Sequence, residues 1–205
     1  IGTCLVGSEM CIRDRLSHCL YRVSVTGRQH IPEQGAALIV ANHVSYVDAL
    51  ILMGTSTRPV RFVMDKSISE LPVLKYVFRH AGVIPICSPR KCAETYKRAF
   101  EQIEQALNND EVVCIFPEGR LTSNGELGEF RPGVEKILKR TPVPVIPMAL
   151  KGLWGSFFSH KNGHALTKRP TRFWSRIEVN IGELLQPTML DRHLLQKEVQ
   201  DLLIR

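Results

Sequence analysis

Two short, unbroken apolar runs, Gly35-Ala-Ala-Leu-Ile-Val-Ala41 and Val112-Val-Cys-Ile-Phe116, constrain this chain more than any other feature. Such a run offers no polar face to water, which predicts a buried strand. Stretches of strand period and helix period alternate around the two runs. Tyr21–Thr26 and Arg176–Ile181 repeat every two residues, Arg61–Met64 and Val83–Ile86 read as short strands, and Val143–Leu150 is a strand punctuated by prolines. Helices are predicted at Tyr46–Met53, Val73–Arg79, Glu94–Leu107, Val134–Arg140 and Leu190–Leu203. Glu94–Leu107 is the clearest: Tyr96, Ala99, Phe100, Ile103, Ala106 and Leu107 share one face, and Lys97, Arg98, Glu101, Gln102 and Gln105 the other. The alternation implies an α/β class fold, a single domain with a mainly parallel or mixed sheet flanked by helices.

A length of 205 residues with 44% hydrophobic content suits one such domain and excludes disordered or fibrous classes. The six cysteines form no Cys-x-x-Cys pair and no zinc spacing with histidine, so they read as scattered thiols of a reducing compartment. No apolar run reaches the roughly 18 residues needed to cross a bilayer. Ile1–Arg15 has neither the pattern of a signal peptide nor a helical period, and its Gly7–Arg15 stretch resembles a translated sequencing adapter. Residues 1–15 are therefore expected to be a non-native or disordered tail, and 16–205 the domain.

Chemistry is expected at the ends of the two buried runs, since strand-to-helix junctions commonly hold active sites. Gly-x-Ser-x-Gly, P-loop, Gly-x-Gly-x-x-Gly and His-Glu-x-x-His signatures are absent, which leaves nucleotide cradles and zinc hydrolysis unsupported. The first run leads into Asn42-His43-Val44-Ser45-Tyr46-Val47-Asp48. On one continuous helix His43 and Asp48 would point about 140° apart. They can meet if His43 stays in the loop and Asp48 enters the helix's first turn, with Ser45 as N-cap. By chance a His-x4-Asp arises about 0.2 times in such a chain, so the pair gains weight only from a second cluster. That cluster is Phe116-Pro117-Glu118-Gly119-Arg120, where a charged pair projects from the end of the second run.

Asn42-His43-x-Ser45-x-x-Asp48 followed by Phe116-Pro117-Glu118-Gly119 resembles the glycerophospholipid acyltransferase family typified by 1-acyl-glycerol-3-phosphate acyltransferase. Gly82-Val83-Ile84-Pro85-Ile86 and Val143-Pro144-Val145-Ile146-Pro147 are similar to that family's second and fourth motifs. The resemblance implies a glycerolipid acyltransferase-like fold, with His43 and Asp48 catalytic, and Glu118, Gly119, Arg120, Asn42 and Ser45 toward substrate. His43 would be the general base and Asp48 would fix its tautomer. Ser45 is better read as a cap than a nucleophile, and Cys114 as core. Arg120 suits a substrate phosphate, and Glu118 would orient Arg120 or contact the glycerol. The implied co-substrate is an acyl-CoA or acyl carrier protein thioester; no cofactor and no metal is called for. Cys87-Ser88-Pro89-Arg90 departs from the acid-Arg pair that usually ends the second motif. Glu118-Gly119-Arg120-Leu121-Thr122 is similar to the branch that reacylates 2-acyl-glycerophosphoethanolamine. A helical hairpin usual in the family is missing, so an excised domain of a larger membrane protein is expected.

The formal charge is +7, from 27 Lys and Arg against 20 Asp and Glu. Lys151–Arg176 contains Lys151, Lys161, Lys168, Arg169, Arg172 and Arg176 with no acid, interleaved with Trp154, Phe157, Phe158, Phe173 and Trp174. Basic and aromatic residues together suit an anionic membrane surface, nucleic-acid binding, or a solvated face over core aromatics. A lysophospholipid partner favours the membrane, so Trp154, Phe157, Phe158, Lys168, Arg169, Arg172, Trp174 and Arg176 are membrane-surface candidates, and no nucleic acid is expected. The expected location is peripheral, on the cytoplasmic side of a membrane. A thioester or lipid hydrolase and a non-catalytic anionic-surface binding domain are the readings from other classes.

Overall fold

The computed structural model of the chain describes residues 21–66, 82–156, 159, 176–188 and 190–205. Seven strands form one sheet: β1 (Arg22–Thr26), β2 (Ala37–Ala41), β3 (Val60–Asp65), β4 (Ile84–Ile86), β5 (Val112–Ile115), β6 (Val145–Lys151) and β7 (Arg176–Ile181). Their spatial order is β1-β7-β6-β2-β5-β3-β4. Every pairing is parallel except β6 with β7. Among the described residues four α-helices accompany them: α1 (Asp48–Thr55), α2 (Ala93–Asn108), α3 (Gly133–Arg140) and α4 (Arg192–Ile204). The sheet is thus mixed and mainly parallel. The expected helix at Val73–Arg79 and the 1–15 tail lie outside the described residues.

The two apolar runs became β2 and β5, adjacent strands at the middle of the sheet. Alternate residues of each feed different cores. Ala37, Ile39, Ala41, Val112 and Cys114 join one cluster with Ala49, Ile51 and Leu52 of α1. Leu38, Val40, Val113 and Ile115 join the other, beneath Phe100 and Ile103 of α2, Val134 and Ile137 of α3, and Leu195 and Val199 of α4. Burial on both faces is why neither run alternates in polarity. The edge strand β1 and its neighbour β7 keep the two-residue period because alternate residues of each are the more exposed.

Helix α2 runs one residue further at each end than the apolar pattern predicts, and Ala99, Phe100, Ile103, Ala106 and Leu107 are its buried side. Helix α4 starts two residues later than Leu190, because Asp191 caps it: its Oδ1 accepts from the Leu194 N–H at 2.7 Å. Helix α1 also begins later, at Asp48 rather than Tyr46, and Ser45 is not its N-cap. Val47 stands at the cap position without a side-chain bond. The loop is instead organised by Asp48 itself.

Candidate active site

Parallel pairing of β2 with β5 aligns Val40 with Ile115, so both strands deliver their C-terminal ends to the same edge of the sheet. His43 follows β2 by two residues and Glu118 follows β5 by three. The register therefore brings together groups 75 residues apart: the His43 backbone N–H donates to Glu118 Oε1 at 2.8 Å. On the far side of the same residue, the Thr122 N–H donates to the His43 carbonyl at 2.9 Å. The peptide groups flanking the histidine are held by the segment that follows β5.

The imidazole is oriented by two contacts. His43 Nδ1–H donates to Asp48 Oδ2 at 2.9 Å, and the ring stacks on Phe116 with centroids 4.2 Å apart and planes 16° apart. Asp48 is wholly buried, and its Oδ2 also accepts from the N–H groups of Val44 (2.7 Å) and Ser45 (2.9 Å). Three donors thus converge on one oxygen at the start of α1. Chain 43–45 is wrapped around this carboxylate, which is how a His and an Asp five positions apart meet. With Nδ1 donating, Nε2 keeps its lone pair on a ring that borders the cavity.

The other expected site residues occupy distinct positions. Asn42 is buried and does not line the cavity: its Nδ2 donates to the Leu150 carbonyl (3.1 Å) and its Oδ1 accepts from the Leu150 N–H (2.8 Å). Its amide extends the β2–β6 ladder beyond the last strand residue, in place of contact with substrate. Ser45 is fully buried, with its Oγ accepting from the Val47 N–H at 3.4 Å. Glu118 neither orients Arg120 nor faces the cavity. Its Oε2 accepts from the Gly128 N–H at 2.8 Å while Oε1 holds His43, so the carboxylate ties two loops together from beneath. Burial pushes its acidity down, raising the pKa above the ordinary carboxylate value despite those two backbone donors. A Cβ on Gly128 would stand 2.7 Å from Oε2, so only glycine lets the loop approach that closely.

A cavity of about 720 Å³ opens at this edge. His43, Phe116, Pro117 and Gly119 border it, and its apolar walls include Ile86, Tyr96, Phe100, Ile103, Ile115 and Ile137. Arg120, Arg131 and Lys136 line it as well. Phe116, Arg131 and Lys136 were not singled out from the sequence as site residues. Phe116 sits inside the motif itself and could have been named. Arg131 gives no signal beyond its place before Pro132 and Gly133, at the start of α3. No cluster of His, Cys, Asp and Glu able to hold a metal exists among the described residues.

A model of the family described as Acyltransferase matches residues 22–151, from β1 to the end of β6, and so includes both polar clusters. The chain belongs to the acyltransferase family. Among its relatives, a chloroplastic 1-acyl-sn-glycerol-3-phosphate acyltransferase of Brassica napus is 29% identical over 135 residues, covering 64% of this chain and 38% of that protein. The 1-acyl-sn-glycerol-3-phosphate acyltransferase of Borreliella burgdorferi is 26% identical over 140 residues, 68% of this chain and 55% of that one. Lysophosphatidylcholine acyltransferase 1 of Rattus norvegicus is 28% identical over 160 residues, 69% and 29% respectively. The chain thus spans about a third to a half of these relatives' lengths. In fold it is similar to the crystal structure of the 1-acyl-sn-glycerophosphate acyltransferase of Thermotoga maritima. That match has a TM-score of 0.71 and 21% identity, covering 96% of this chain and 76% of that one.

Of the basic, aromatic stretch in this acyltransferase domain, Phe157, Phe158, Lys168, Arg169, Arg172 and Trp174 lie outside the described residues. Arg176 is exposed at the start of β7. Trp154 is half-buried and packs on the α1-side core, with its indole against Gly125 of the loop that carries Thr122.

Proposed function

We propose that the protein transfers a fatty acyl group from an acyl thioester to the free glycerol hydroxyl of a lysophospholipid. The observation that carries this reading is the His43 Nδ1–Asp48 Oδ2 bond at 2.9 Å on the border of a largely apolar cavity. The family and the names of the relatives support the same reaction class. The acceptor to test first is 1-acyl-glycerol-3-phosphate, after two of those relatives. The second is 2-acyl-glycerophosphoethanolamine, after the Glu118-Gly119-Arg120-Leu121-Thr122 form of the motif.

In this mechanism Nε2 of His43 takes the proton of the acceptor hydroxyl as its oxygen attacks the thioester carbonyl. Asp48, fixed by the Val44 and Ser45 N–H groups, holds the imidazole in the tautomer that can accept and stabilises the imidazolium that forms. The hydroxyl belongs to the substrate, so no acyl-enzyme is needed. Ser45 and Cys114, both wholly buried, take no part, and burial raises the Cys114 thiol's pKa well above its usual value. The apolar walls between α2 and α3 suit a fatty chain. No helix among the described residues is long and apolar enough to cross a membrane. Access to lipid on the cytoplasmic face is assigned to surface attachment through the basic 151–176 stretch or to a further part of a longer protein.

The test is acyl transfer to a panel of lysophospholipids from coenzyme A and carrier-protein thioesters. His43→Ala is expected to lower the rate by roughly 10²–10⁴-fold. Near-normal transfer by that variant overturns the mechanism, and thioester consumption without an acceptor turns the reading to a hydrolase.

A further inference from the structure

Positive charge at the cavity is unevenly committed. Lys136 Nζ donates to the Tyr96 hydroxyl at 3.3 Å and lies 5.6 Å from that ring's centroid. Arg61, Arg98 and Arg140 elsewhere in the molecule pair with Glu111, Glu94 and Glu104. Arg120 and Arg131 line the cavity, and among the described residues no carboxylate pairs with either. Among the described residues Asp65 is the one acid of the lining, and the rim after β4 presents Cys87, Ser88 and Pro89. Two uncompensated guanidiniums in one site repel each other, an energy that an anion between them releases.

Arg131 is placed with some care. Phe130, before it, is fully buried and donates its N–H to Gln196 Oε1 at 3.1 Å. The Arg131 N–H donates to the Pro117 carbonyl at 2.9 Å, and Pro132 follows with its φ fixed at −63°. The side chain lies over Gly119, whose φ is +63° and whose missing Cβ would stand 3.1–3.2 Å from Nε, Cδ and Cζ of Arg131. Gly119 thereby vacates the groove for this guanidinium, and Arg120 is the next residue along. The pinned backbone and the glycine groove fix Arg131 beside the His43 loop.

We infer that Arg131 is a second anion-binding residue of the site, which with Arg120 clamps the phosphate of the lysophospholipid acceptor while its hydroxyl meets His43. The assignment rests on the acyl-transfer reading above. Each guanidinium can bond two phosphate oxygens, so the pair fixes the distance from phosphate to the reacting hydroxyl. A phosphate monoester and a phosphodiester share this chemistry, and the two acceptors distinguish them by how strongly each depends on Arg131.

The experiment compares Arg131→Ala and Arg131→Lys in the full chain, with thermal melts to verify folding. Steady-state kinetics are run on lysophosphatidate and lysophosphatidylethanolamine, and glycerol 3-phosphate binding is titrated by calorimetry. Arg131→Ala is expected to raise the acceptor KM about tenfold or more while the donor KM stays within about twofold, with partial rescue by lysine. Glycerol 3-phosphate binding should weaken by a similar factor. An unchanged acceptor KM in a folded variant overturns the assignment. A rise confined to the donor KM overturns it too, since Arg131 would then serve the thioester's own phosphates. Should the wild-type chain transfer no acyl group, the proposed reaction fails, yet the titration still decides Arg131: equal binding by wild type and Arg131→Ala, or none by wild type, refutes it.

Discussion

Glu118 shows how a residue can be legible as important and illegible in role. Its position after a buried strand marks it in the sequence, and pairing with Arg120 or contact with glycerol are the natural expectations. The structure spends both oxygens on backbone N–H groups, of His43 and of Gly128. No sequence pattern announces a bond between a side chain and a backbone 75 residues away, because it depends on strand register. Glu118→Gln keeps one acceptor oxygen and turns an NH2 toward the other N–H. It should therefore lower kcat and the melting temperature while leaving the acceptor KM within about twofold, since a spoiled buried hydrogen bond costs about 1–3 kcal/mol. A substrate contact would instead raise KM, so kinetics on the two acceptors separate the roles. The raised pKa adds a pH signature. A folded-state value above the unfolded one means that the native protein holds this proton more tightly. Stability from this group is present below the ordinary glutamate pKa and lost as pH rises through the folded value. Denaturant titrations should show wild type gaining on Glu118→Gln as pH falls through that window.

At the level of elements, the continuous apolar runs predicted β2 and β5, and the 3.6-residue period predicted α2 nearly to its ends, because burial on defined faces leaves a direct imprint on polarity. The start of α1 was less legible. A serine before an apolar stretch is a common cap, and here Asp48, from inside the first turn, instead reaches back to the N–H groups of Val44 and Ser45 in the preceding loop. Asn42 misleads in the opposite direction: a polar residue beside the motif histidine resembles a substrate ligand, but its amide substitutes for a peptide group in the ladder to Leu150. Helix α4 offers a clean control. Asp191→Ala removes its cap and should cost about 1 kcal/mol in chemical denaturation, with acyl-transfer kinetics unchanged, because Asp191 is outside the cavity lining.

For the whole molecule, the local excess of positive charge leads to a measurable surface property. If the 151–176 stretch docks on anionic lipid, Lys168, Arg169 and Arg172 each contribute about 1 kcal/mol. Replacing all three with alanine should weaken binding to vesicles containing anionic lipid by roughly a hundredfold, leave binding to zwitterionic vesicles unchanged, and make sedimentation far less sensitive to salt. Equal binding by the triple variant would remove this stretch from the membrane assignment.

The strand order also has a bearing on how the chain is made. Among the described residues, β2 has sheet partners only in β5 and β6, and β1 only in β7. Until residue 112 has left the ribosome, β3 with β4 is the one strand pair that can close. The nascent domain therefore carries the fully buried strand β2 without sheet neighbours while residues 42–111 are added. Arrival of β5 then gives β2 its first sheet partner and, within three residues, supplies the glutamate that closes the histidine loop. In this topology the β2–β5 pair and the His43–Glu118 contact form in one late event, and a ribosome-stalled chain ending before β5 should be a client for chaperones.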